Sequence, residues 1–367
     1  MVENRQVWLD WARSLAIISV TFNHALSKSF DTRSGTFEEY IFLGNFPSFF
    51  KALLYVFSRL GVPLFLMISG TLLLDRQYEK KEVLKRFIMH NWLQLFVATE
   101  IWLTIMFWFL QIFSDSILRT SGFIEAVKSF LLTLLFINQT TMSSMWYMPM
   151  ILCLYLMIPV ISVAIRKLDN RLFAGLCSLA IVCSMVIPNI NTALKALKID
   201  FKIVFEPVID DIFSIYMIYV IIGYWISKGI ISKMSDMTVS LSAFTGFVCT
   251  SLFQFWIYTT PSDYYVRYRD IGILVTSCFL FEIIRRLNPE GSKSTKPVLF
   301  VSNAALGIYF VHICIMTFVR KLMDKYADIH YFESFIILEL TAFAGSLLII
   351  WLASKNTFIK KRMFLMK

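Results

Sequence analysis

Ten apolar stretches, each about as long as a bilayer is thick, dictate what this 367-residue chain can become. They fall near 7–25, 50–74, 87–113, 146–165, 172–188, 211–227, 238–258, 268–287, 298–319 and 333–354. A helix needs about 20 apolar residues to cross the hydrocarbon core, and inside that core every backbone N–H and C=O must be bonded internally. Helices meet that demand within one segment. The expected fold is therefore all-α, a polytopic integral membrane protein with about ten transmembrane helices. The chain is 57% hydrophobic and 16% charged, with a mean hydropathy of +0.67, and a soluble protein of this length could not hide so much apolar surface. An eleventh apolar piece, 124–138, is short for a span and reads as re-entrant or interfacial.

Basic residues set the orientation. With ten spans and the N-terminus inside, twenty Lys and Arg fall in cytoplasmic segments, among them those of the 75–86 loop and Arg166, Lys167 and Arg171, while twelve fall outside. That bias places both termini in the cytoplasm. Counting 124–138 as a span would carry Arg166, Lys167 and Arg171 outside and reverse everything after them. The net charge of +10 is spread over short loops with no soluble domain to present it, so topology and anionic membrane lipid account for it and no nucleic-acid partner is expected. Asp10 and Arg13 interrupt the first apolar stretch, which is therefore not read as a cleavable signal. Six cysteines lie in or beside spans without Cys-x-x-Cys spacing and read as small buried hydrophobes, and the four scattered histidines compose no metal site. Internal repeats, nucleotide-binding fingerprints and low-complexity linkers are missing, so residues 1–367 are expected to form a single transmembrane domain.

Against this background the first span carries three ionisable groups, Asp10, Arg13 and His24. Such groups cost roughly 2.5–3.5 kcal/mol each at membrane depth and usually face a protein interior or a wet cavity. At about 100° per residue, Arg13 and His24 stand about 20° apart around the helix and some 16 Å apart along it, with Asp10 about 60° from Arg13. The result is a polar stripe across most of the membrane, better matched to a long ligand than to a compact one. At three residues' separation Asp10 and Arg13 can also simply pair with each other.

Four blocks resemble the acyltransferase-3 family of integral membrane acyltransferases. Asp10-Trp-Ala-Arg13, ten residues and His24 match the family's first helix, a basic residue spaced ten residues from a histidine. Arg59-Leu-Gly-Val-Pro-Leu-Phe-Leu-Met-Ile-Ser-Gly70 is similar to its second conserved stretch. Met145-Trp-Tyr-Met-Pro, followed by Tyr155 and Pro159, resembles its Trp-aromatic helix. Ser302-Asn-Ala-Ala-Leu-Gly307-Ile-Tyr309-Phe-Val-His312 resembles its late helix. The blocks keep family order over residues 10–312. After the second span many relatives carry Arg-x-x-Arg, where this chain has Lys81 and then Lys85-Arg86, a departure that weakens transfer of that motif's role.

The resemblance implies a single-domain membrane O-acyltransferase similar to those that acetylate O-antigen and enterobacterial common antigen. It would sit in the bacterial inner membrane and hold no permanent cofactor. Its partners would be acetyl-CoA as donor and a cell-envelope polysaccharide, or a lipid-linked sugar precursor, as acceptor. Residue chemistry agrees. A sugar hydroxyl attacking a thioester needs a base of near-neutral pKa, which an imidazole supplies. His24 is the expected base or transient acyl carrier, Arg13 the donor-binding cation and Asp10 the group that holds it. Arg59, Trp146, Tyr147, Ser302, Tyr309 and His312 are expected in substrate or donor binding. For Trp146 and Tyr147 an interfacial aromatic belt is the alternative, and for His312 a core histidine. Arg59 precedes Gly61-Val-Pro63, whose broken backbone is expected to line a cavity. His90 and His330 fall at interfacial or loop positions without a site role. A membrane transporter or glycan exporter would also use a charged stripe, and succinyl-CoA is an alternative donor.

Overall fold

The computed structural model of the protein describes residues 6–29, 46–113, 122–137, 145–199, 203, 215–258, 265–287, 295–326 and 331–366. All regular structure among them is helical: α1 Val7–Ser29, α2 Phe46–Ser58, α3 Gly61–Leu73, α4 Lys81–Phe87, α5 Leu93–Phe113, α6 Phe123–Leu134, α7 Tyr147–Lys167, α8 Asn170–Ile181, α9 Ile187–Ala196, α10 Met217–Ser227, α11 Asp236–Tyr258, α12 Ile271–Leu287, α13 Lys296–Tyr326, α14 Tyr331–Ala353 and α15 Thr357–Arg362. Single π-turns, Ile88–Trp92 and Val182–Val186, join α4 to α5 and α8 to α9 without breaking the helical path.

Seven helical segments among the described residues are long and apolar enough to cross a bilayer: Phe49–Leu73, Lys81–Phe113, Tyr147–Lys167, Asn170–Ala196, Asp236–Ile257, Lys296–Tyr326 and Phe332–Ala353. Each covers one of the ten expected spans. The remaining three are helices too. The 23-residue α1 is long enough, but its polar stripe dilutes its apolar character. Helix α12 has 17 residues and three charges, and α10 is apolar throughout its 11 residues, with most of the expected 211–216 lead-in outside the described residues. The 124–138 piece forms α6, a 12-residue helix of about 18 Å, well short of a span. Leu340, Leu348 and Trp351 on α14 and Leu176 and Leu179 on α8 are exposed, a pattern that hydrocarbon solvates and water does not.

The chain divides into two compact units, each built from two separate stretches. Unit 1 comprises Met1–Gln77 and Val160–Ser302, and unit 2 comprises Tyr78–Pro159 and Asn303–Lys367. In unit 1, α3 packs against α1 and α10, α2 against α11, and α11 against α12. The α3–α10 crossing is close because Gly70 and Gly223 face the opposite backbone: a Cβ on Gly70 would sit 1.8 Å from the Val220 carbonyl oxygen, and one on Gly223 2.3 Å from Met67 Cα. Small residues at such crossings are what lets helices approach where no hydrophobic drive exists between them. Thr71 Oγ1 adds an interhelical bond to the Gly223 carbonyl at 3.1 Å.

At one end of unit 1 the carbonyls just beyond α3 are covered by α7. Ser162 Oγ donates to the Leu74 and Arg76 carbonyls at 2.8 and 2.9 Å, and Arg166 Nη1 donates to the Arg76 carbonyl at 2.8 Å. Lys228, just beyond α10, pairs with Asp75 at 2.9 Å. Arg76, Arg166 and Lys228 thus lie at the same end of unit 1. In unit 2, Trp102 of α5 donates Nε1 to the Met363 carbonyl at 2.9 Å and stacks on Phe310 of α13 at 5.3 Å. Its neighbour along the chain, Trp92, donates to the Leu152 carbonyl of α7 at 3.0 Å. The six cysteines are free thiols, and Cys153 and Cys249 are exposed rather than buried. In a membrane the outer face is as apolar as the core, so hydropathy alone cannot distinguish the two.

Candidate functional site

The first turn of α1 forms the most polar buried point of the site. Asp10 has no exposed surface, and its Oδ1 accepts from Ser302 Oγ of α13 at 2.8 Å and from Arg13 Nη1 at 3.4 Å. Ser14 Oγ donates to the Asp10 carbonyl at 2.9 Å and reaches the Val298 carbonyl at 3.3 Å, so α13 is tied to α1 at two successive turns. The Arg13 side chain is 28% exposed, so the carboxylate anchors a cation that still has surface outside the helix packing. A 3.4 Å contact is longer than the usual 2.7–2.9 Å for a charge-assisted bond. Asp10 therefore orients Arg13 without clasping it on both prongs. The first and fourth blocks of the sequence meet here, in unit 1.

His24 stands half-buried on the same helix, three turns further along, and its carbonyl accepts from Ser27 Oγ at 3.1 Å. Its neighbour Asn23 accepts from Ser58 Oγ at 3.3 Å, which brings the His24 turn beside the α2–α3 break. That break lies at Arg59-Leu60, between Ser58 and Gly61, and Pro63 sits in the first turn of α3, where its missing N–H costs nothing. The expected broken backbone is present, and Ser19 of α1 meets polar groups on both sides of it. Ser19 Oγ accepts from the Gly61 N–H at 2.8 Å and donates to the Phe57 carbonyl at 2.9 Å. Gly61 is required for this approach, since a Cβ there would lie 2.5 Å from the Ala16 carbonyl oxygen.

Arg59 projects from the break onto tyrosines. Its guanidinium lies over the Tyr55 ring at 4.5 Å and the Tyr268 ring at 5.7 Å, and Nη2 donates to the Tyr55 hydroxyl. The tyrosines were not singled out from the sequence, although the Tyr55-x-x-x-Arg59 spacing puts that pair on one helix face, and the Tyr264-to-Arg269 run, with three tyrosines and two arginines in six residues, is a visible signal.

The other site residues gather in unit 2. Tyr147 of α7 lies 5.9 Å from Tyr309 of α13, Tyr309 lies 6.1 Å from His312, and Trp146 sits edge-on to Tyr147 at 6.2 Å. His312 is fully buried, and its Nδ1 donates to the Ile308 carbonyl at 2.8 Å, which leaves the lone pair of the neutral ring on Nε2. Tyr155, from the same block as Trp146, packs near Phe87 at 6.1 Å. Ser302, Tyr309 and His312 share one helix, but Ser302 bonds Asp10 while the other two join the Tyr147 cluster. His90 Nδ1 engages the Arg86 carbonyl at 3.2 Å on an exposed turn, and His330 lies outside the described residues.

Comparison with known proteins adds one finding. A family model described as an acyltransferase domain, that of the acyltransferase-3 family, matches residues 6–355, nearly the whole chain. Neither the curated proteins nor the solved structures contain a match.

Proposed function

We propose, from the premise that this chain belongs to the acyltransferase-3 family of membrane acyltransferases, that it moves an acetyl group from cytoplasmic acetyl-CoA to a hydroxyl of a cell-envelope glycan or its lipid-linked precursor. The observation that carries the reading is the buried Ser302–Asp10–Arg13 arrangement, which presents a fixed, partly exposed guanidinium on the helix that also bears His24. Arg13 binds a phosphate of the donor, and Asp10 sets its direction. The separation of about 16 Å along α1 suits a donor whose anionic and acyl ends are far apart.

In the direct route His24 takes the proton of the acceptor hydroxyl. The oxygen attacks the thioester carbon, the C–S bond breaks, and the CoA thiolate collects a proton. In the covalent route the imidazole nitrogen attacks the thioester carbon and CoA leaves as its thiolate. The acceptor oxygen then attacks the acetyl-imidazole, the C–N bond breaks, and the hydroxyl proton ends on the CoA thiolate. The half-buried Trp146 and Tyr147 offer flat faces for a sugar ring. The orientation that goes with this chemistry has both termini and the 75–86 loop in the cytoplasm of a bacterium, with 26–45, 189–210 and 259–267 outside its inner membrane, and the chain acts as one transmembrane domain. A single engineered cysteine replacing Arg166 should resist membrane-impermeant reagents in intact cells; labelling from outside would overturn the orientation.

Activity is tested with detergent-purified protein offered acetyl-CoA and acceptor glycan. Release of CoA thiol together with mass-spectrometric acetylation of the glycan is expected. Glycan transport into vesicles with no thioester consumption would overturn the proposal in favour of an exporter.

A further inference from the structure

Arg59 is a cation whose environment the transfer chemistry does not explain. Its Nε is buried and meets no acceptor, and among the described residues no carboxylate lies within ion-pairing distance of it. The rings of Tyr55 and Tyr268 offset only part of the cost of desolvating a charge. A second tyrosine layer lies outside them. Tyr265 is 6.4 Å from Tyr55 and exposed, and the guanidinium of Arg267 stands 5.9 Å from its ring.

The segment that supplies this layer is held rigid. Tyr219 Oη donates to the Tyr268 carbonyl at 2.7 Å, the Val266 N–H to Gln254 Oε1 at 2.6 Å, the Arg267 N–H to Asp270 Oδ2 at 2.5 Å and the Ile271 N–H to Asn189 Oδ1 at 3.1 Å. Tyr219, Val266 and Gln254 have no exposed surface, so the anchors cannot drift. A half-buried arginine and an exposed one, with tyrosine faces between them, form a preorganised receptor for an anion carrying a flat or apolar group. The Ser58–Asn23 bond places it beside the turn of His24.

We propose that Arg59, with Tyr55, Tyr265, Tyr268 and Arg267, binds the anionic group of the acyl acceptor, either a phosphate of a polyprenyl-diphosphate-linked sugar or the carboxylate of an acidic sugar. The assignment of that anion to the acceptor rests on the acyl-transfer reading above; the anion site itself does not. A planar fork recognises either oxyanion in bidentate fashion, and the tyrosines take the prenyl chain or the sugar face.

The test titrates the full-length protein in detergent, without donor, against farnesyl diphosphate and farnesol, and against methyl glucuronide and methyl glucoside. Wild type should bind one anionic probe at least tenfold more tightly than its neutral partner. Arg59→Gln should remove that preference and leave the neutral probe unchanged, and Arg59→Lys should fall between. Preference for farnesyl diphosphate assigns the anion to the lipid carrier, and preference for the glucuronide assigns it to the sugar. Equal binding of charged and neutral probes by wild type, or an undiminished preference in Arg59→Gln, overturns the proposal. The wild-type comparison stands even where the variants fail to fold. Acetyl-CoA protection against thermal unfolding, measured on the same samples, separates the two readings: its absence removes the acetyl-CoA donor reading and leaves the anion site intact.

Discussion

Asp10 and Glu282 are both fully buried carboxylates of unit 1 with arginine neighbours on their own helices, yet they hold those arginines differently. Glu282 gives both oxygens to arginine. Arg285 grips it with two bonds of 2.8 Å, and Arg286 Nε reaches it at 2.6 Å. Arg286 then continues to Asp236 at 2.6 Å and to the Ile231 and Met234 carbonyls at 2.8 and 2.9 Å, stitching the α10–α11 connection onto the end of α12. The Asp10 carboxylate instead accepts from a hydroxyl 292 residues away at 2.8 Å, and its contact to Arg13 is longer, at 3.4 Å. A clasp uses its cations internally, whereas a site keeps a cation oriented and within reach of something else.

That contrast breaks most visibly at His24, which extends the Asp10 side of the comparison to the chemistry. His24→Ala should lower acetyl transfer per mole of folded protein by about 10²–10⁴-fold with an unchanged melting curve. Near-wild-type turnover would strip the α1 stripe of its catalytic meaning. Its companion, His312→Ala, should lose stability first and activity only in proportion, because it vacates a fully buried position.

Glu282→Gln comes next. Leaving two arginines without their shared counter-charge should cost about 3–5 kcal/mol of stability. Turnover of the fraction that remains folded should hold, and a matching loss there would erase the distinction between clasp and site. Asp10→Asn should cost less, about 1–3 kcal/mol, since the amide oxygen can still accept from Ser302. Donor affinity should fall with it. A pure stability effect, read by comparing melting curves with acetyl-CoA titrations, would make Asp10 a second Glu282. The smallest effect is expected from Arg13→Lys, which keeps the charge and loses the fork. About tenfold weaker acetyl-CoA binding, or ~1.4 kcal/mol, should accompany an intact fold. Undiminished protection by acetyl-CoA would move the donor site elsewhere.

Helical spacing was enough to foresee the Asp10–Arg13 contact, because residues three apart on a helix are neighbours wherever the helix lies. It could not foresee Ser302 as the third member, a pairing that only the folded meeting of α1 and α13 creates. The Tyr268 contact to Arg59 was hidden for the same reason: it needs the α11–α12 connection folded over the α2–α3 break. The apolar runs at 50–74 and 333–354 announced their helices directly, whereas α12 hides behind Glu282, Arg285 and Arg286, the charges that anchor it. Ser19 carried no signal at all. A lone serine in an apolar run gives no hint that it will satisfy both sides of a chain break on another helix.

The 292 residues between Asp10 and Ser302 also impose a timetable. Translation at about 5–20 residues per second makes the serine ~15–60 s after the aspartate. Throughout that interval the first helix must reside at the translocon or in lipid without its distant hydroxyl. Arg13, three residues away and made within a second, is the charge that travels with Asp10 from the start. The pair proposed to orient the donor therefore also serves as the nascent helix's travelling counter-ion, and a variant such as Arg13→Ala should be lost at membrane insertion before it is lost at catalysis.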